Sequence, residues 1–125
     1  MKSESLSSGT LETWNAAEVK KAFDEGKIVL VDVRTPQEYM LENIPGALLM
    51  PMSGFDPSKL PNDGEKPVVL FCGSSKRSEK LAKRLLEHGR STARHMEGGF
   101  ASWKKEELPY RALDLPSGEI EMKNQ

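Results

Sequence analysis

The sequence predicts an α/β fold, a central and mostly parallel sheet with helices on both faces. Three observations carry that expectation. Ile28-Val29-Leu30-Val31 and Val68-Val69-Leu70-Phe71 are continuous apolar runs of strand length, the pattern of strands covered on both sides. Each run leads within a few residues into a helix start and a stretch of helical apolar spacing. Strands alternating with short helices are, in turn, the pattern of parallel sheets built from crossover units. With 125 residues the chain is long enough for one domain with a sizeable core.

Residues 1–9 are rich in serine and charge and are expected to be flexible. Asn15-Ala16-Ala17-Glu18 has the form of a capping box, with Glu18 reaching back to the Asn15 cap. Val19, Ala22 and Phe23 supply one apolar helical face, and Gly26 is placed to end the helix in the left-handed conformation. The Ile28–Val31 strand runs into Asp32-Val33-Arg34, and Thr35-Pro36-Gln37-Glu38 starts a second helix with Thr as cap and Pro at its first position. Ile44-Pro45-Gly46-Ala47 is a turn, and Leu48-Leu49-Met50 a brief strand. Residues 52–66 are expected to be irregular, with one helical turn near Pro57–Leu60. After the Val68–Phe71 strand, Leu81, Ala82, Leu85 and Leu86 mark a helix closed by His88-Gly89. Ala93–Met96 is a weaker strand, and Gly98-Gly99 turns the chain into a last helix with Phe100 and Trp103 on one core face. The expected domain covers residues 10–113, and residues 114–125 form a polar tail.

Composition narrows the function classes. A formal net charge of −1 gives no reason to expect nucleic acid or an anionic membrane as partner. No apolar stretch is long enough to cross a bilayer, and the first fifteen residues lack the apolar run of a signal peptide. One cysteine excludes an internal disulfide framework; with only two distant histidines beside it, neither a zinc site nor another cofactor is expected. A reducing cytoplasm is the simplest setting.

The chemistry centres on Cys72. It follows the most apolar strand and precedes Gly73-Ser74-Ser75-Lys76-Arg77-Ser78, small and polar residues that open a helix. A strand, a short loop and a helix N-terminus aim backbone N–H groups at whatever sits above the loop. Those amides, the helix dipole and the charges of Lys76 and Arg77 favour thiolate over thiol, so Cys72 is expected to be nucleophilic. The bland alternative is a buried structural cysteine. Arg77 could turn inward and brace the loop through its five donors. Asp32 and Arg34 end the neighbouring strand, and the simplest reading of them is structural: an ion pair, possibly of Arg34 with Glu38, shaping the floor near Cys72. His88 suits a helix C-terminus, and neither it nor His95 is spaced to act as a general base for Cys72.

Four pieces in order, Val31-Asp32-Val33-Arg34 with Glu38-Tyr39, Ile44-Pro45-Gly46-Ala47, Cys72 to Ser78, and Gly98 to Trp103 with Leu108-Pro109, resemble the rhodanese family of sulfurtransferases. The resemblance implies a rhodanese-like fold and transfer of a sulfane sulfur. Cys72 would take sulfur from thiosulfate or a persulfide donor, carry it as a persulfide, and yield it to cyanide or a thiol, as covalent catalysis in two half-reactions. Gly73, Ser74, Ser75 and Ser78 would line the bound sulfur, and Lys76 and Arg77 would attract the anionic donor and hold its sulfonate. Ser74, Ser75 and Ser78 also have a plain reading, as small residues or as a cap of the first turn. Two positions depart from the family pattern: Glu42-Asn43 stand where it has Gly-His, and Ser75 where it has glycine. If that loop position needs φ > 0, the Cβ of serine restricts it.

Three other functions compete. Cysteine phosphatases and arsenate reductases place a thiolate in a similar loop, but with five residues between Cys and Arg; here there are four. A non-catalytic binding module would not need an intact Cys72 with its basic neighbours. A sulfur carrier in a protein relay would need the same loop as an enzyme. With no second cysteine, the persulfide cannot be resolved as an intrachain disulfide.

Overall fold

The computed structural model describes residues 1–64 and 66–125. The chain forms two sheets and four α-helices among these residues. The main sheet holds β1 (Lys2–Leu6), β2 (Gly9–Trp14), β3 (Val29–Asp32), β5 (Leu48–Leu49), β6 (Val68–Phe71) and β7 (Thr92–Met96), in the spatial order β1-β2-β7-β6-β3-β5. Every pairing is parallel except β1 with β2. A small antiparallel sheet joins β4 (Glu42–Asn43), β8 (Tyr110–Leu113) and β9 (Ile120–Lys123). The α/β class and the mostly parallel central sheet are as the sequence predicts.

The helices are α1 (Ala16–Asp24), α2 (Pro36–Leu41), α3 (Lys76–Glu87) and α4 (Gly99–Lys105), and α1 and α2 start where their caps place them. Both capping boxes form: Asn15 and Thr35 accept from the backbone N–H of Glu18 and Glu38, whose carboxylates accept from the cap amides in return. Gly26 follows α1 at φ +68°. Of the 52–66 stretch, the described residues form two short 3₁₀ turns, Met52–Gly54 and Pro57–Lys59; residue 65 lies outside the described residues.

Strand alternation divides the core in two. Val68, Leu70 and Cys72 point to one face of the sheet, where they meet Val31, Val33, Ala93 and the α3 residues Leu81, Ala82, Leu85 and Leu86. Val69 and Phe71 point to the other, among Leu30, Val19, Phe100 and Trp103. Burying each leucine of α3 contributes roughly 2 kcal/mol, which presses the helix N-terminus against the end of β6. The position of Cys72 beneath α3 is therefore a matter of parity along one strand.

Both chain ends differ from expectation. Instead of a flexible segment, Lys2–Leu6 pairs with β2 as an edge strand, joined by a two-residue turn at Ser7-Ser8. Within the polar tail, Ile120–Lys123 pairs with β8. These strands are exposed and held by ladder hydrogen bonds; Lys2–Leu6 has no apolar alternation, and Ile120-Glu121-Met122-Lys123 alternates but leaves both apolar side chains exposed. No helix among the described residues is long and apolar enough to cross a membrane.

Candidate active site around Cys72

Cys72 ends β6, and three residues, Gly73, Ser74 and Ser75, bring the chain to α3. Its sulfur accepts the backbone N–H of Ser75 at 3.1 Å and of Ser78 at 3.4 Å, and the Ser78 hydroxyl lies 3.6 Å away. Ser75 is the N-cap residue of α3, yet its own side chain caps nothing. Ser78 is the third helical residue, whose amide a cap side chain would ordinarily take. The sulfur of Cys72 is thus the cap of α3, and the helix dipole favours its anionic form. Burial pushes the thiol up, but the Ser78 amide and hydroxyl and the Ser74 and Ser75 amides outweigh it, and the thiol lies below the ordinary range.

The loop carbonyls are held from the other side. Phe100 N–H donates to the Cys72 carbonyl at 2.7 Å and Ala101 N–H to the Gly73 carbonyl at 3.1 Å. With the Gly73 carbonyl drawn outward to α4, the Ser74 amide of the same peptide turns toward the sulfur. Gly99 makes this contact possible. A Cβ there, at φ +57°, would lie 2.3 Å from the Cys72 carbonyl oxygen and 2.8 Å from two loop backbone atoms. Gly99 is thus more than the turn the sequence suggests: it is the floor of the loop.

Ser75 sits at φ +113°, ψ −21°, in the left-handed region that its side chain disfavours. The strain is held by its amide on the sulfur and by its carbonyl, which accepts the Glu79 amide and lies 3.1 Å from the Ser78 hydroxyl. Ser74 and Lys76 are exposed at the loop's outer surface.

Arg77 turns neither to the sulfur nor to loop carbonyls. Its guanidinium makes a two-point ion pair with Glu38, at 2.7 and 3.1 Å. The expected Arg34–Glu38 pair is replaced by this one. Arg34 instead grips Asp32, two residues before it, with Nη2 2.8 Å from Oδ2, and donates to the Glu42 carbonyl. Parity explains the exchange: Asp32 falls on the sheet face opposite Cys72, and Arg34 lies over the Phe100 ring, 4.5 Å from its centroid. The Arg77 guanidinium holds the Glu38 carboxyl at about 2, against some resistance from burial. In the sequence Glu38 reads as a capping-box partner and a possible partner of Arg34; its link to Arg77, 39 residues away, has no local signal.

A cleft of about 230 Å³ opens beside Gly73, lined also by Arg34, Glu38, Leu41, Phe100 and Lys104. Cys72 has no solvent-exposed surface and lies on the other side of the loop backbone. Beneath it, buried His95 approaches Ser78, a contact that sequence spacing did not suggest.

Comparison with known proteins agrees with this geometry. A family model, Rhodanese-like domain, matches residues 15–106. An uncharacterised Synechocystis protein is 42% identical over 82 residues, 66% of this chain and 46% of that one. A probable adenylyltransferase/sulfurtransferase of Mycobacterium tuberculosis is 36% identical over 97 residues, 74% of this chain and 24% of that one. The chain therefore spans less than half the length of each of these relatives. A crystal structure of a rhodanese-related protein from Thermoplasma volcanium superposes with a TM-score of 0.70 at 26% identity, covering 79% of this chain and 96% of that one. Loop, fold and family model converge, and the chain belongs to the rhodanese-like domain family.

Proposed function

We propose that the protein is a sulfurtransferase in which Cys72 carries a sulfane sulfur as a persulfide. The observation that supports this most is the pair of α3 amides, of Ser75 and Ser78, aimed at the sulfur. The Cys72 thiolate attacks the outer sulfur of thiosulfate, a new S–S bond forms, and the old one breaks with its electron pair leaving on sulfite. The persulfide anion extends the charge the amides already hold. A thiol, as its thiolate, or cyanide then attacks the outer sulfur and returns the electron pair to Cys72. Ping-pong kinetics follow.

Gly73, Ser74, Ser75 and Ser78 line the carried sulfur, and exposed Lys76 draws in the anionic donor. Arg77 serves the loop by tethering it to Glu38, and Asp32 with Arg34 braces the neighbouring strand end. The partners are a small anionic donor and a thiol, cyanide or sulfur-relay protein, in a reducing compartment such as the cytoplasm that keeps Cys72 reduced.

One observation favours a second reading, a binding module without catalysis: the sulfur has no exposed surface. Intact-mass measurement separates the two. The sulfurtransferase gains one sulfur atom on incubation with thiosulfate or a persulfide donor and loses it to cyanide as thiocyanate, and Cys72→Ser gains none. A protein that takes sulfur from neither donor is the module.

A further inference from the structure

His95 lies in β7, in register with Thr13 of β2 on one side and Leu70 of β6 on the other. Cys72 is two residues beyond Leu70, so both side chains point to the α3 face of the sheet. The ring is buried between two hydroxyls: Nδ1 is 3.3 Å from Ser78 Oγ, and Nε2 is 3.1 Å from Thr13 Oγ1. From Ser78 Oγ to the Cys72 sulfur is 3.6 Å. A continuous buried chain thus runs Thr13, His95, Ser78, Cys72.

Proton accounting shows what the chain can do. The Ser78 hydroxyl has one proton and two lone pairs. The Ser75 carbonyl, 3.1 Å away, can only accept, and a Cys72 thiolate can only accept. A bare Nδ1 would be a third acceptor competing for that one proton. A protonated Nδ1 donates to a Ser78 lone pair instead, leaving the hydroxyl proton to the sulfur, where the charge-assisted bond is the stronger. With Nδ1 protonated, Nε2 is bare and can accept the Thr13 hydroxyl, 3.1 Å away.

We propose that His95, neutral and protonated at Nδ1, is a positioning residue for Cys72, holding the Ser78 hydroxyl so that its proton faces the sulfur. It builds on the sulfur chemistry proposed for Cys72. Burial keeps the ring neutral by lowering its proton affinity; Glu79 and Glu97 act in the opposite sense and Lys83 with the burial. Arg77, though paired with Glu38, is near enough for its charge and that of the sulfur to interact.

The test is a pH titration of the full chain by ultraviolet thiolate absorbance, with Cys72→Ser as the blank. His95→Gln offers its amide toward Thr13 and leaves Ser78 without a donor; the Cys72 midpoint rises by about one pH unit, a tenfold loss of thiolate below the midpoint. His95→Asn keeps an N–H near the Nδ1 position and restores most of the shift. Thr13→Val, outside the loop, leaves the bare Nε2 without its hydroxyl donor, disfavours the arrangement with Nδ1 protonated, and raises the midpoint by a smaller amount. A folded His95→Gln with an unchanged midpoint overturns the proposal, as do equal midpoints for the Gln and Asn variants, which would mean lost packing only. If His95→Gln does not fold, Thr13→Val decides, and an unchanged midpoint overturns it. The titration needs no sulfur donor, so a protein that shows these shifts yet takes up no sulfur contradicts the sulfurtransferase reading alone.

Discussion

Two strand-to-helix junctions lie side by side at the carboxyl end of the sheet, and they solve the same problem differently. From β3 into α2 the chain uses Thr35 as an extended cap and Glu38 as its reciprocal partner, all within four residues. From β6 into α3 no side chain of the cap residue serves; Ser75 is left-handed, and the sulfur of Cys72 takes the helix amides. The first junction spends its amides on stability. The second aims them at an atom that can react, and holds a strained residue in place to do so. Glu38 ties the two together, serving as capping-box partner of one helix and as anchor for Arg77 of the other.

The comparison can be broken most completely at the sulfur. Cys72→Ser abolishes sulfur uptake, since a hydroxyl forms no persulfide, while its oxygen still accepts the α3 amides and the melting temperature stays within a few degrees. Cys72→Ala also loses the cap and is destabilised by about 1 kcal/mol relative to Cys72→Ser, read from urea unfolding. Next in size is Gly99→Ala. Its Cβ collides with backbone at φ +57°, so the loop must shift; a loss of about 3 kcal/mol in urea unfolding is expected, together with most of the sulfur uptake.

Ser75→Gly sharpens the contrast in the other direction. Relieving a serine at φ +113° stabilises the fold by about 1 kcal/mol, measured as a raised urea midpoint. The smallest effect is at the tie. Glu38→Gln leaves Arg77 without its charged partner; the pair is more than a third exposed on both sides, so the cost stays below about 1 kcal/mol. Its signature is in pH. The carboxyl is held at about 2 in the folded chain, below its ordinary 4.5. The stability it contributes is therefore fully present above about 4.5 and is lost as pH falls toward 2. Urea unfolding across that window shows a shallower pH dependence in Glu38→Gln than in the parent; identical slopes would remove the Arg77–Glu38 tie from the account.

What the sequence made legible follows the reach of each signal. Caps act over three residues, so Asn15 with Glu18 and Thr35 with Glu38 could be read directly. The apolar runs and the Cys72 loop are also local. Arg77 to Glu38, and His95 to Ser78, depend on which strands lie side by side and on the parity of each along the sheet, which no short window contains. Of the exposed strands at the two ends, the first lacks apolar alternation and the last alternates only at Ile120 and Met122, since both bury almost nothing. Ser75 was marked as a departure from the family pattern, but its left-handed backbone became evident only in the fold.

The central claim is that the amides at the start of α3, together with the Ser78 hydroxyl, keep Cys72 ionised for sulfur transfer. The most direct test is the rate of sulfur uptake from thiosulfate by intact mass, followed across pH in the parent and in Ser78→Ala. The account predicts a rate that levels off below the ordinary thiol range in the parent, with the plateau displaced to higher pH in Ser78→Ala. Uptake that still climbs through the ordinary thiol range in the parent, or no uptake at any pH, would contradict it.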